Sequence, residues 1–419
     1  MTKVLILADD FTGALDVGAQ FVQSGTRIKV INDNENLNVE KALSETDILV
    51  IHTNSRHVSA DTAFQRIRNI CEKVEALGNK DVLIYKKIDS ALRGCIGTEL
   101  AAVLNGGKYD RLFFVSAYPK LNRVTQSGRQ YIDGVLVTES PFASDPLNPA
   151  TSAYIPDILQ KSGVSVYLVP ENQVLNQLDI SPKGIYVFDA TTDERLQQIA
   201  LWMEELKEPY AVAGCAGFAK YLPNISACTE KKEINPPKIG GALIVLGSIH
   251  LQTIQQIHIS EADGYEVIRV TKFPDFSKET YVPKAEEVMS ILERFNQGEH
   301  LILTTNSLDI EQQEAKDNHW VECAMNTANS FGKLIAALFE SGFNGVLIIS
   351  GGDTLYGILT ALESKGIEPL SAVEEGVIFA KMDTKFGQQY IVTKSGGMGS
   401  DNVFQKIEAY LQGIIQRRI

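Results

Sequence analysis

Two carboxylates stand side by side in Ala8-Asp9-Asp10-Phe11-Thr12-Gly13-Ala14, with a hydroxyl and a glycine just after them. One aspartate is enough to cap a helix. A second, with Thr12 beside it, is chemistry suited to orienting and deprotonating a hydroxyl group. Ser55-Arg56 and Lys86-Lys87-Ile88-Asp89-Ser90-Ala91-Leu92-Arg93-Gly94 supply bases, a further carboxylate and hydroxyls, and Pro119 through Arg129 adds Lys120, Arg123 and Arg129. The chain carries 39 Lys and Arg against 52 Asp and Glu, a net charge of −13. Against that background, bases gathered in loops are what a small carboxylate or phosphate needs. Asp89, between Lys87 and Arg93, either acts on such a ligand or orders its own loop through an ion pair.

A second set of loops has different chemistry. Gly247-Ser248-Ile249-His250, Ser350-Gly351-Gly352-Asp353-Thr354 and Lys394-Ser395-Gly396-Gly397-Met398-Gly399 each follow an apolar run. Glycines at a strand-to-helix turn let backbone N–H groups approach a phosphate, and the helix N-terminus adds favourable partial charge. Lys394 and the hydroxyls of Ser395 and Thr354 are further candidate donors. Several named sites are excluded. There is no G-x-x-x-x-G-K-[ST], and no G-x-G-x-x-G follows the first apolar run. Asp10-Phe11-Thr12-Gly13 has no H-R-D loop to accompany it, and no G-x-S-x-G elbow surrounds Ser248 and His250. His52 and His57 bracket the Ser55-Arg56 loop and read as structural histidines first, with a substrate hydrogen bond as the alternative.

The elements that position these loops are short β-branched runs alternating with helical patterns, which predicts parallel sheets covered by helices. Lys3–Leu7 reads as the first strand and Ala14–Val22 as the first helix, so Asp9 and Asp10 fall at a carboxyl edge, where ligands of open α/β sheets bind. Further strands are expected at 27–31, 48–53, 82–87, 111–116, 164–169, 184–189 and 210–214, with a helix at 60–77. Residues 125–138 read as a hairpin excursion. The polar, double-proline stretch Thr229–Lys238 reads as a linker. Beyond it strands are expected at 242–246, 266–270, 301–305, 346–350, 377–380 and 390–393, with helices near 251–261, 326–339 and 355–362. The expectation is two three-layer α/β/α domains, residues 1–232 and 233–419, with mainly parallel sheets facing each other across a cleft.

Acidity with a pI near 5.1 argues against a nucleic-acid or anionic-membrane partner. No apolar run approaches the roughly 18 residues of a membrane helix. The five cysteines are scattered and never spaced as CxxC, and the chain opens without a signal-peptide pattern. These features lead to the expectation of a cytoplasmic protein with reduced thiols. A homodimer is compatible with the sequence but not required by it.

Taken together and in order, the Ala8–Ala14 loop, Lys86-Lys87-Ile88-Asp89-Ser90-x-Leu92-Arg93-Gly94, Gly351-Gly352-Asp353-Thr354 and Lys394-Ser395-Gly396-Gly397-x-Gly399 resemble the four-carbon acid sugar kinases. The resemblance spans essentially the whole chain. It implies ATP-dependent phosphorylation of the terminal hydroxyl of threonate, erythronate or 3-oxo-tetronate, with the acid sugar in the first domain and ATP in the second. Position by position, it puts Asp10, Arg56, Lys87, Asp89, Ser90 and Arg93 at the acid sugar, where Asp9, Thr12 and Arg129 join them on the residue reading. It puts Ser248, Gly351, Gly352, Asp353, Thr354 and Gly397 around the nucleotide; on the residue reading Lys394, Ser395 and Gly396 join them, and Mg²⁺ is expected on the phosphates mainly through water, with Asp353 as its candidate indirect partner. Asp10 and then Asp89 are the candidate bases. The family usually shows Gly-Arg-Thr and Gly-His where this chain has Asn122-Arg123-Val124-Thr125 and Gly128-Arg129, and Gly-Ser-Cys-Ser where it has Gly247-Ser248-Ile249-His250. These departures bear on substrate identity more than on the reaction. Ala14-Leu15-Asp16 looks more like the threonate and erythronate branch; a 3-oxo-tetronate kinase and a non-catalytic sugar-acid or nucleotide sensor are the alternatives.

Overall fold

The computed structural model describes residues 3–22, 26–33, 37–78, 82–145, 148–160, 163–222, 241–247, 250–270, 281–305 and 319–416. The chain divides into two compact units, residues 1–231 and 232–419. The expected linker lies outside the described residues.

The first unit begins with β1 (Lys3–Ala8), α1 (Phe11–Ala19), β2 (Ile28–Asn32), α2 (Val39–Glu45), β3 (Ile48–His52), α3 (Ala60–Ala76), β4 (Val82–Lys87), α4 (Ile96–Gly106) and β5 (Arg111–Val115). Then come three short strands, β6 (Arg123–Gln126), β7 (Arg129–Ile132) and β8 (Val135–Leu136), and α5 (Ile155–Gln160). It closes with β9 (Val166–Val169), β10 (Gly184–Phe188), α6 (Asp193–Glu204), β11 (Ala211–Gly214) and α7 (Ala216–Ala219). All pairings in the order β2-β3-β1-β4-β11-β5-β10-β9 are parallel. Strand alternation sorts the core into two layers. Leu5, Leu7, Leu49, Ile51 and Ile84 pack with Ile67 and Ile70 of α3 and Leu100 and Val103 of α4. Val4 and Ile6 face the other way, toward the side that α1 covers with Ala14, Leu15 and Val17.

The excursion forms its own antiparallel sheet, β6-β7-β8. Ser127 and Gly128 have φ of 51° and 68°, and Asp133 and Gly134 of 50° and 83°. Both pairs match the turn whose twist suits a two-residue hairpin. Asp189 fastens the first turn, accepting from the N–H groups of Ser127 at 2.7 Å and Gly128 at 2.8 Å.

The second unit runs β12 (Ala242–Leu246), α8 (Leu251–Ala262), β13 (Glu266–Arg269), α9 (Ala285–Asn296), β14 (Leu301–Thr304), α10 (His319–Glu340), β15 (Val346–Ser350) and α11 (Gly352–Ala361). It ends in β16 (Ile367–Glu374), β17 (Val377–Thr384), β18 (Gly387–Lys394) and α12 (Val403–Gln416). Strand order is β13-β14-β12-β15-β18-β17-β16. The first five are parallel neighbours, whereas β16, β17 and β18 form an antiparallel meander. The meander departs from the expected strand list, which lacks β16. Pro369 sits inside that strand beside a register shift, and proline ordinarily argues against a strand. One face packs Ile244, Leu246, Ile302 and Ile348 against Ile257 of α8 and Phe404, Ile407 and Leu411 of α12.

Candidate active site

The carboxyl ends of β1, β3 and β4 converge in the first unit. Asp10 is the N-cap of α1, its Oδ2 accepting from the Gly13 N–H at 3.2 Å and the Thr12 hydroxyl at 2.5 Å. The carboxylate expected to be spare is therefore Asp9, one oxygen of which, Oδ1, is buried and without a partner among the described residues. Arg56, from the loop after β3, spans both carboxylates: Nε donates to Asp9 Oδ2 at 2.7 Å and Nη2 to Asp10 Oδ1 at 2.7 Å, with Asp89 at 3.8 Å. Arg93 is likewise engaged, with Nε 2.6 Å from Asp89 and Nη1 2.5 Å from Asp145. Both guanidinium groups are thus held by protein carboxylates.

Lys87 differs. It is 5% exposed, yet its ammonium makes no hydrogen bond or ion pair with the described residues. Its neighbour Lys86 points to the opposite face of β4, as alternation demands. There its ammonium meets Glu99 at 3.1 Å, and the Ser55 hydroxyl donates to the same carboxylate. Gly13 makes room for the Lys87 ammonium: a Cβ on Gly13 would lie 2.6 Å from Lys87 Nζ and 2.4 Å from Asp10 Oδ1. Burial by itself raises the Asp10 carboxyl, but Arg56, Lys87 and the Thr12 hydroxyl outweigh it and hold Asp10 well below the usual carboxylate range. Asp89 is also held down: burial opposes ionisation, and Arg93, Arg56 and Lys87 more than offset it. Both are ionised at neutral pH and are weak bases, suited to accepting a hydrogen bond from a hydroxyl. His52, buried under Phe11 with Nδ1 2.9 Å from Asn32 Oδ1, is lowered to about 4 by burial and stays neutral.

The hairpin brings Arg123, not Arg129. The Arg123 guanidinium donates to the Ser90 hydroxyl and stacks over Phe142, 5.3 Å from the ring centre, with Arg93 5.1 Å from the same ring. Gln130 ties the hairpin down, accepting from Ser116 at 2.9 Å and Thr125 at 3.0 Å and donating to the Ser90 carbonyl at 3.2 Å. Because Gln130 and Ile132 face inward on β7, Arg129 faces out. It is exposed and stacks on Tyr154 at 4.9 Å, so it does not join the cluster. Asn148 was not anticipated; its amide donates to the Arg56 carbonyl at 2.8 Å and accepts from the Gly94 N–H at 3.3 Å.

In the second unit the ends of β12, β15 and β18 bring Gly247, Ser350–Thr354 and Lys394–Gly397 to one edge of the sheet. Gly351, the N-cap of α11, has φ of 105° and so requires glycine. A Cβ on Gly247 would lie 2.0 Å from Thr354 Oγ1, so the two loops touch. Asp353 stands in the first turn of α11. Ser350 Oγ is buried without a partner among the described residues. Gly397 packs against the His250 ring, and His250 in turn caps α8 through the Gln252 N–H. Ser248 lies outside the described residues. Lys394 corrects the expectation of a cationic donor facing outward. It is 1% exposed and turns into its own loop, and burial lowers it to about 7 against the pull of Glu374.

The sugar-binding N-terminal domain family matches residues 4–222, and the nucleotide-binding C-terminal domain family residues 243–404. Over nearly its full length the chain is 28% identical to a D-threonate kinase of Salmonella typhimurium LT2, with 98% of each chain covered. The chain belongs to the four-carbon acid sugar kinases. It is also 26% identical to a D-erythronate kinase of Heliobacterium modesticaldum (96% and 95% covered) and 25% identical to a 3-oxo-tetronate kinase of Escherichia coli K12 (87% and 97% covered). A crystal structure from S. typhimurium LT2, solved under a provisional tRNA synthase description, superposes with a TM-score of 0.77 at 21% identity, covering 97% and 99%. At that identity the likeness shows the fold alone. As a four-carbon acid sugar kinase the chain is a phosphotransferase acting on an alcohol group. Among the described residues, no helix is long and apolar enough to cross a membrane.

Proposed function

We propose that this kinase transfers the γ-phosphoryl group of ATP to the terminal hydroxyl of a four-carbon sugar acid, D-threonate first and D-erythronate next. The observation that carries the reading is the buried Lys87 ammonium, unbonded among the described residues and acting electrostatically on both Asp10 and Asp89, together with the unpartnered Asp9 Oδ1. A sugar acid offers one carboxylate and several hydroxyls. Lys87 pairs with the carboxylate, and Asp9 and Asp89 accept from hydroxyls. Asp10 orients the attacking hydroxyl through the rigid Thr12-Gly13 turn. A carboxylate of low basicity suffices, because phosphoryl transfer relies on positioning and charge neutralisation more than on early proton removal.

The reading assigns the phosphates of ATP to the Gly351-Gly352 and Gly396-Gly397 loops. Among the described residues no group of three or more His, Cys, Asp or Glu is placed to hold a metal ion. On this reading Mg²⁺ is held mainly through water, as its reluctance to dehydrate favours, and Asp353 in the first turn of α11 is the residue that would hold it. When bound, Mg²⁺ neutralises phosphate charge. Two relatives named D-threonate kinase are 28% and 26% identical and one named D-erythronate kinase is 26% identical, against 25% and 23% for several named 3-oxo-tetronate kinase, a small margin on the side of threonate or erythronate. A coupled ADP-release screen over threonate, erythronate and 3-oxo-tetronate stereoisomers tests the choice. The highest kcat/KM is expected for D-threonate, and a preference for 3-oxo-tetronate would overturn it.

A further inference from the structure

Lys394 Nζ lies 2.9 Å from the Gly396 carbonyl, 3.1 Å from that of Met398, 3.2 Å from that of Ser395 and 3.4 Å from Thr253 Oγ1. Helix α8 takes hold of the same loop. Thr253 donates to the Gly396 carbonyl at 2.7 Å, and Gln256 Nε2 reaches the Met398, Gly399 and Ser400 carbonyls at 3.3, 3.1 and 3.0 Å. The carbonyls of Ser395, Gly396, Met398 and Gly399 therefore point inward together.

A trans peptide is planar, so each N–H points opposite to the carbonyl of its own peptide unit. Inward carbonyls at Ser395, Gly396, Met398 and Gly399 turn the N–H groups of Gly396, Gly397, Gly399 and Ser400 outward. Glu374 takes the one on Ser400 at 2.7 Å. Those on Gly396, Gly397 and Gly399 have no acceptor among the described residues. Successive N–H groups left this way form an anion cradle. A side chain at Gly397 would collide with the His250 ring, and Gly399 has φ of 88°.

We propose that Lys394 is a positioning residue for the nucleotide: its ammonium gathers the carbonyls of the Ser395–Met398 loop so that the opposite N–H groups face the phosphates, and it does not touch the phosphates itself. The proposal rests on the ATP reading above. Lys394→Met and Thr253→Val test it, with ADP binding by calorimetry, KM for ATP and for D-threonate, amide exchange over 395–400 and thermal unfolding. For Lys394→Met the expected result is an ADP Kd and ATP KM raised about tenfold or more with the D-threonate KM unchanged, as for a lost group that serves binding of one substrate. Exchange over the loop should accelerate even without nucleotide. Thr253→Val should move the same readouts in the same direction, less far. Unchanged ADP affinity in a folded Lys394→Met protein would overturn the proposal. So would weakened affinity with loop exchange as in the wild type, which would make Lys394 a direct phosphate ligand. Should Lys394→Met fail to fold, Thr253→Val decides by the same readouts. A wild-type protein that binds no ADP would instead remove the ATP reading.

Discussion

The cluster at the ends of β1, β3 and β4 contains two kinds of cation, and replacing each by methionine separates them. Arg56 is bonded at 2.7 Å to both Asp9 and Asp10, with its side chain 10% exposed. Arg56→Met leaves the buried Asp9 and the partly buried Asp10 without their main partner, which costs about 3 kcal/mol of stability. Lys87 has no such bond, and methionine keeps the length of its buried stem. Lys87→Met therefore changes stability by about 1 kcal/mol or less. On the proposed function it also removes one charge-assisted contact to the substrate carboxylate, worth about 1.5–3 kcal/mol, so the D-threonate KM should rise roughly 10- to 150-fold. The ATP KM should stay as it is. The assay is ADP release at saturating ATP with the sugar acid varied, alongside denaturant unfolding of both variants. A Lys87→Met KM within threefold of wild type would refute the division of labour, as would an Arg56→Met protein of wild-type stability and raised KM.

Other consequences follow from the same geometry. Asp10→Asn should lower kcat by roughly 10² with ATP affinity intact, since it weakens acceptance from the reacting hydroxyl; an unchanged kcat removes Asp10 from that role. Gly13→Ala should cost both activity and stability, because its Cβ would lie 2.4 Å from Asp10 Oδ1, the atom that Arg56 holds, and 2.6 Å from Lys87 Nζ; wild-type kcat/KM and unfolding free energy would contradict this. His52 is lowered from 6.5 to about 4, so the unfolded chain binds the extra proton between those values. Stability is fully present above pH 6.5 and declines as pH falls toward 4, by roughly 3 kcal/mol at about 1.4 kcal/mol per pH unit. His52→Gln should remove that part of the slope in acid unfolding curves.

Much of the site was legible because strand ends concentrate it. A buried strand followed by a polar turn fixes where Asp9, Asp10, Arg56, Lys87 and Asp89 lie, whatever the details of packing. Which partner each charge takes was not legible. Arg56 and Arg93 read as substrate clamps, but the fold commits both to Asp9, Asp10, Asp89 and Asp145. Arg129 and Arg123 stand six residues apart in one excursion, and only the hairpin register decides which faces Ser90. Lys394 reads as a donor at a glycine loop, and nothing in Lys394-Ser395-Gly396-Gly397 foretells that three carbonyls would turn back to meet it. The antiparallel β16 was hidden by Pro369, whose strand tolerates it beside a register shift.

The position of the transferred phosphate is the most direct test. Incubation with ATP, Mg²⁺ and D-threonate, followed by proton-coupled phosphorus NMR of the product, reports which carbon bears the new ester. The predicted result is a phosphorus signal split by two methylene protons, the signature of the 4-phosphate. Coupling to a single proton, or no phosphorylated product from any four-carbon acid, would contradict the assignment.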